Sequence, residues 1–454
     1  MKPLLPLLVV LLIGLATPGQ ARDAEPGPWE MLGDVLRKGK PVPIGQARPR
    51  AAVSKVESAD LWDAFLTQVI KRSAGKASDG DRRNEFLFVL LSGRHDGVAL
   101  LASDAAIPDP LRELFLLSWE RLAPLLRGLS GELDAQAARQ FQALLKAGDA
   151  LQAAQGFGDV LGVRVTPDTL RQLVRLVMPE QAGDPLAYDL AVDPELRSLF
   201  GFGAPLPPAE RSRLLGASRL PSSIDPLRWL VPAAFAVPLP VAASLDPETA
   251  ALAKRLNNWL PTRSDLSTYL PEMRSLLQRT ADATLNERED AGRSLDAQFH
   301  NLYRHLVLAT AWQESCWRQF VRRKGRVQPI QSGVGAVGLM QVYPRVWRGF
   351  YDVTGLQTDV GYNGRAGAEI LHHYLRDYAI ARSEPSVSSD PDDLARGTYA
   401  VYNGGPGHLT RYRKPKQRAD LKAIDASFLE KYEAVKAGNE LEVGRCFTAA
   451  DGRG

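Results

Sequence analysis

Residues 295–316 read LDAQFHNLYRHLVLATAWQESC, and within them Leu295, Phe299, Leu302, Leu306 and Ala309 recur at steps of four, three, four and three. That spacing predicts one stripe of an α-helix turned toward a core. Glu314 stands at the far end of the segment. Helical steps back from it reach Ala311, Val307 and Tyr303, so its carboxylate shares a face with apolar side chains. A carboxyl placed there loses hydration, its pKa rises, and it can hold a proton near neutrality as a general acid. A glutamate at a helix end is more commonly a solvated surface residue, so this face alone does not assign its role.

Toward the N-terminus, residues 55–180 show the same helical recurrence, as in Leu61, Trp62, Phe65, Leu66, Val69 and Ile70. Thr166-Pro167-Asp168 has the makings of a helix start: a capping hydroxyl, a proline at the first helical position and an acid near the positive helix end. Prolines at 205, 207, 208, 221, 226, 232, 238 and 240 interrupt any long helix and predict a linker near 205–240. Lys2, the apolar residues 4–16 and Gly19-Gln20-Ala21 read as an export signal ending at residue 21, with an uncleaved membrane anchor as the alternative. The expected organisation is a signal peptide over 1–21, a helical accessory region over 22–245, and a catalytic domain over 246–454 with its core at 295–450. The fold class expected is mainly α.

A chain of 454 residues with 45% hydrophobic and 24% charged residues has the composition of an ordinary globular protein. Net charge is only +4, but residues 291–454 hold 23 Lys and Arg against 17 Asp and Glu. Five basic residues crowd into positions 411–418, a run that attracts an anionic polymer if it is not simply a solvated surface. The two cysteines, Cys316 and Cys446, either pair or stay as free thiols; sequence leaves both open. The six histidines show no metal-ligand spacing and no phosphate-binding glycine loop is present, so no cofactor is expected. In the His372-His373 pair, one ring is expected to cover core and the other to face water.

The residues C-terminal to Glu314 carry more information. The order is Glu314-Ser315-Cys316-Trp317, then Gly335-Ala336-Val337-Gly338-Leu339-Met340-Gln341 with Ser332 before it, then Asn363 and Gly367, then Tyr399-Ala400-Val401-Tyr402-Asn403-Gly404-Gly405. These four blocks, in this order, resemble the catalytic domain of the soluble lytic transglycosylases, a lysozyme-like family that acts on bacterial peptidoglycan. The resemblance covers roughly residues 295–450. It implies a lysozyme-like domain at the C-terminus, preceded here by an all-helical N-terminal region.

Carried over position by position, the resemblance implies that Glu314 is the acid and base. Ser332 and Tyr402 would lie beside it, Tyr402 with its hydroxyl near the carboxylate. Met340, Gln341 and Asn403 would meet the glycan. Asn363 is expected to cap a helix. Ser332 follows Glu314 by 18 residues, a longer interval than the family's pattern has, and the extra segment, which is rich in arginine, is expected to form an extended helix or a loop at the groove's edge.

Glycosidases that retain or invert usually use two acids, yet from Ser315 to Tyr351 there is no acidic residue. The family's reaction needs only one. It is a non-hydrolytic cleavage of the bond between N-acetylmuramic acid and N-acetylglucosamine, leaving 1,6-anhydro ends. A hydrolytic muramidase using Asp352 or Asp359 and a non-catalytic wall-binding protein are the competing readings. The expected partners are peptidoglycan strands and, through the N-terminal region, other wall proteins. A periplasmic location is expected from the signal, and with it no role with nucleic acid and no membrane span once the signal is removed.

Overall fold

A computed structural model describes residues 53–154, 164–188, 192–205, 245–382 and 390–448. The signal segment expected at 1–21 lies outside the described residues, as does the proline-rich stretch beyond Pro205.

The N-terminal half is built from α1 (Lys55–Ala74), α2 (Gly80–Ala102), α3 (Pro110–Leu129), α4 (Ala135–Ala154), α5 (Pro167–Val177) and the short α6 (Pro194–Leu199). Their starts follow local chemistry. Ser54, Asp79, Asp109 and Thr166 each accept a hydrogen bond from the backbone N–H three residues on, and Pro110 and Pro167 open their helices where no N–H is needed. α1 packs on α2 and α3, burying Trp62, Phe65, Leu66, Val69 and Ile70 completely or nearly so.

The C-terminal half holds α7 (Pro247–Leu256), α8 (Leu266–Asp290) and α9 (His300–Ser315). After a β-hairpin come α10 (Val353–Thr358) and α11 (Val360–His373), which runs on as a π-helical segment over Tyr374–Ile380. α12 (Pro391–Gly404), α13 (Ala419–Lys436) and the single turn α14 (Arg445–Thr448) complete it. α9 is the pivot. It touches α8, α11, α12 and α13, and for that reason its buried residues lie on nearly every side and not on one stripe. The helix begins at His300, so Leu295 and Phe299 precede it.

The basic segment after Glu314 is neither a helix nor an open loop. β1 (Phe320–Arg323) pairs antiparallel with β2 (Arg326–Pro329) across Lys324-Gly325, whose φ values of 49° and 75° are those of a tight two-residue turn between twisted strands.

The two halves share one apolar core. Arg197 of α6 is fully buried; it donates to the Phe350 carbonyl at 2.8 Å and to both carboxylate oxygens of Glu369 of α11 at 3.2 Å. Arg94 of α2 reaches the carbonyls of Val346 and Arg348 at 3.0 and 2.7 Å, and the Asp193 N–H donates to the Gly349 carbonyl at 2.6 Å. Phe202 packs its ring against Trp347, Phe350 and His373.

That contact corrects the reading of the histidine pair: His372 and His373 are both 2% exposed, because Phe202 of the N-terminal half covers the side that would have faced water. The basic run is also less free than its composition implied. Arg411 is buried in a pair with Asp425, Arg413 pairs with Asp393, and Arg418 with Asp420. Among the described residues, no helix is long and apolar enough to cross a membrane.

Candidate active site

Glu314 occupies the last turn of α9, and the chain beyond it is held unusually firmly. Cys316 and Trp317 adopt left-handed backbone with φ of 52° and 58°, a conformation that side chains disfavour and that needs support from its surroundings. The support is present. The Trp317 indole donates to the Leu308 carbonyl at 3.0 Å, Tyr269 donates to the Trp317 carbonyl at 2.7 Å, and Ser315 Oγ donates to the Leu339 carbonyl at 2.6 Å. Cys316 is joined to Cys446 with their Cα atoms 6.1 Å apart, which resolves the cysteine question in favour of a disulfide.

The glycine-rich block folds back over the end of α9 as a tight loop, with Val337 and Val342 bridged to each other. Two amides from outside the block hold it. Asn363 Oδ1 accepts from Met340 N at 2.8 Å, while its Nδ2 donates to the carbonyls of Val337 at 3.0 Å and Leu356 at 2.9 Å. Gln319 accepts from Leu339 N at 2.7 Å and donates to the Leu356 carbonyl at 3.0 Å. Gly338 sits between these amides with φ of 78°, and a Cβ there would collide with both. Asn363 is therefore not a helix cap. Asp359 caps α11, and Asn363 is fully buried one turn in.

A small cavity forms where the loop, α9 and α12 meet, lined by Glu314, Ser332, Gln341, Tyr343, Tyr402 and Asn403 together with Ala336. Ser332 thus lines the same cavity as Glu314 despite the intervening hairpin, since antiparallel strands return the chain to where it left. Gln341 points its amide inward to the Gly338 carbonyl at 2.7 Å, holding the loop as well as facing the cavity. Met340 differs from expectation. It is fully buried against Gly367 and is absent from the cavity wall, so its part in the site is structural.

Tyr402 lines the cavity beside Glu314, as the resemblance implied, but the hydrogen bond to the carboxylate comes from the other tyrosine of α12. The Tyr399 hydroxyl, not that of Tyr402, donates to Glu314 Oε1, at 2.9 Å. Tyr402 donates to the Met340 carbonyl at 2.6 Å and thereby ties α12 to the loop. Residues three apart lie on one helix face, so both rings turn toward α9, and Tyr399 is fixed from behind by stacking on Phe428 of α13 with centroids 4.0 Å apart. That face could have been read from the spacing of the two tyrosines; their order of reach could not.

Burial raises the Glu314 pKa from 4.5 to about 7, against the opposing pull of the Tyr399 hydrogen bond and the positive charges of Arg411 and Lys431. Tyr343 across the cavity is also raised, by burial and then by the Glu314 charge. Glu314 is the one carboxylate in the cavity wall. Asp352 and Asp359 are both occupied as helix caps, accepting from Gly355 N and Tyr362 N at 2.8 Å each. Among the described residues, no group of three or more His, Cys, Asp or Glu is placed to hold a metal ion.

Such a pocket offers one proton donor that becomes a base after giving its proton up, with a phenol to orient it. Residues 296–424 match the family model described as the transglycosylase SLT domain, a segment that contains every side chain of this cavity. The match agrees with the resemblance carried by the four sequence blocks, and it puts the lysozyme-like domain in the C-terminal part with the N-terminal helices before it. No curated protein and no solved structure matches the chain.

Proposed function

We propose that the chain, carrying a transglycosylase SLT domain over residues 296–424, cleaves peptidoglycan strands between N-acetylmuramic acid and N-acetylglucosamine without consuming water. Glu314 begins protonated and gives its proton to the glycosidic oxygen as the bond from that oxygen to C1 breaks. The resulting carboxylate takes the proton of the muramic acid C6 hydroxyl, whose oxygen bonds to C1. The product is a 1,6-anhydro end, and Glu314 recovers the proton it started with.

The observation that carries this reading is a lone carboxyl in the cavity with its pKa raised to about 7. A two-carboxylate hydrolase needs a partner acid across the scissile bond to activate water or attack C1, and the other acids nearby are engaged elsewhere. In this scheme Tyr399 orients the carboxylate, Ser332 and Asn403 meet the sugar, and Gln341 shapes the loop against it. The catalytic unit is residues 246–454, and wall proteins meet the N-terminal helices. Export to the periplasm, through the leader expected at 1–21, brings the enzyme to its substrate. Mass analysis of fragments released from purified peptidoglycan tests the reaction: anhydro ends, lighter by one water than reducing ends, are expected, and reducing ends alone overturn it.

A further inference from the structure

The family match ends at residue 424, yet α13 (Ala419–Lys436) runs on past it and packs against both α9 and α12. α9 carries Glu314 and α12 carries Tyr399, so α13 touches both helices that the hydrogen bond between those residues joins. Its grips come from Asp425, Phe428 and Lys431, all past the end of the match and each three positions after the last. Side chains at that spacing form one ridge along a helix.

Asp425 is buried and accepts from Arg411, in the turn that follows α12, at 2.6 Å. Phe428 is 1% exposed and lies parallel to the Tyr399 ring, with centroids 4.0 Å apart and planes within 2°. Lys431 donates to the Gln313 amide oxygen at 2.7 Å and to Ser427 Oγ at 2.6 Å, and that hydroxyl donates to the same amide oxygen at 3.1 Å. Gln313 is the residue before Glu314. The ridge thus holds the turn after α12, the ring of the tyrosine and the last turn of α9.

Two physical effects meet here. A parallel ring backs the whole face of Tyr399 and limits how far its hydroxyl swings, whereas an aliphatic side chain of similar size touches only part of that face. A hydrogen bond weakens steeply once it lengthens or bends, so this limit bears directly on the bond to Glu314. The second effect is charge. Around the carboxyl stand Tyr399 and Tyr402 from α12, Tyr343 from the loop, Arg411 from the turn and Lys431 from α13, with Glu430 beside Lys431. The two cations favour the carboxylate; one is held by the ridge and the other belongs to it.

We propose that Phe428 and Lys431 are positioning residues for the reaction, through which α13 keeps the Tyr399 hydroxyl and the end of α9 in register so that the Glu314 carboxyl meets its donor. The proposal rests on the reading of Glu314 as acid and base. It extends the working site beyond the segment that the family model matches.

Carbon NMR of the glutamate carboxyls in the full chain follows the titration of Glu314 without substrate, the signal being assigned as the one lost in Glu314→Gln. Phe428→Leu is expected to raise the midpoint by about half a pH unit when Tyr399 is present. In the Tyr399→Phe background it should leave the midpoint unchanged, since the hydroxyl being positioned is gone. Wall digestion should follow the same pattern, with kcat down about tenfold at unchanged KM in the first background and within about twofold in the second. A purely structural part for Phe428 would lower kcat by the same factor in both backgrounds and overturns its assignment, as does an unmoved midpoint. Lys431→Met, at a half-buried position, is the second variant and releases Gln313 without opening the core. It should shift the midpoint upward too, and Lys431→Arg should restore it; a midpoint that Lys431→Met leaves in place overturns the part given to Lys431. Wall digestion by Glu314→Gln at the wild-type rate would instead defeat the catalytic reading, while the titrations still judge the positioning.

Discussion

Tyr399 holds Glu314 from a distance of 2.9 Å while its own ring is clamped on Phe428, so the orientation of the carboxylate is set by two helices, α12 and α13, that do not carry it. Tyr399→Phe keeps the stacking and removes the donor. Because the lost bond favours the ionised form, the Glu314 pKa should climb further, and the alkaline limb of kcat/KM should move up by about one pH unit. The rate at the optimum should fall on the order of tenfold to a hundredfold as the carboxyl loses its fixed direction. A pH profile superimposable on that of the wild type would rule this role out.

The raised pKa of Glu314 also predicts how stability varies with pH. In the unfolded chain the group ionises near its ordinary value of 4.5, but in the folded chain only near 7. Between those values the folded state holds a proton the unfolded state has lost, so stability falls as pH rises through this window and levels off above it. Glu314→Gln cannot ionise and should be more stable than the wild type at pH 8, by on the order of 1–3 kcal/mol, with the gap closing below pH 4.5. Denaturant melts at the two pH values would show it; a gap of the same size at both would point away from ionisation. The same variant should digest no wall.

Asn363 makes three buried hydrogen bonds that span the Gly338 loop, Met340 and α10. Asn363→Ala leaves their partners unpaired and should cost about 3 kcal/mol or more in stability. It should also lower kcat more than any surface substitution, since the loop lines the cavity. Thermal unfolding and wall digestion on the same preparation would check both, and an unchanged melting temperature would contradict the bonding described.

A fragment starting at residue 245 keeps every side chain of the Glu314 cavity but loses Arg197 and Phe202. Glu369 would then keep Arg288, 3.6 Å away, but lose the Arg197 guanidinium that bonds both its oxygens, a change expected to cost about 1–3 kcal/mol. Trp347, Phe350 and His373 would lose their cover. The fragment should unfold at a markedly lower temperature than the whole chain, as read by circular dichroism, and equal stability would show that the shared core contributes little.

Much of this arrangement was legible from sequence for a physical reason. Helical periodicity and the fixed spacing of a tight loop are local properties, so a helix ending at Glu314, the capped start at Thr166 and the blocks around Glu314 could be read directly, whereas the single buried stripe expected of α9 gave way to burial on nearly every side because four helices surround it. Contacts between distant segments could not be read that way. Which of Tyr399 and Tyr402 reaches the carboxylate depends on the crossing of α12 over α9. That His373 is buried as well as His372 depends on Phe202, from the other half of the chain. Arg411 reads as surface charge until Asp425 is seen beside it, and Ser332 reads as remote until the hairpin returns it. Gln319 drew no notice because a single glutamine in an arginine-rich stretch has no pattern to betray it.

The bridge between Cys316 and Cys446 has a consequence for the order of assembly. The partners are 130 residues apart, so the ribosome must finish nearly all of the C-terminal half before the bond can close. Until then the left-handed turn that ends α9 has no covalent brace. The helix bearing Glu314 is thus synthesised well before its end can be fastened, which ties the setting of the acid to a segment made 130 residues later.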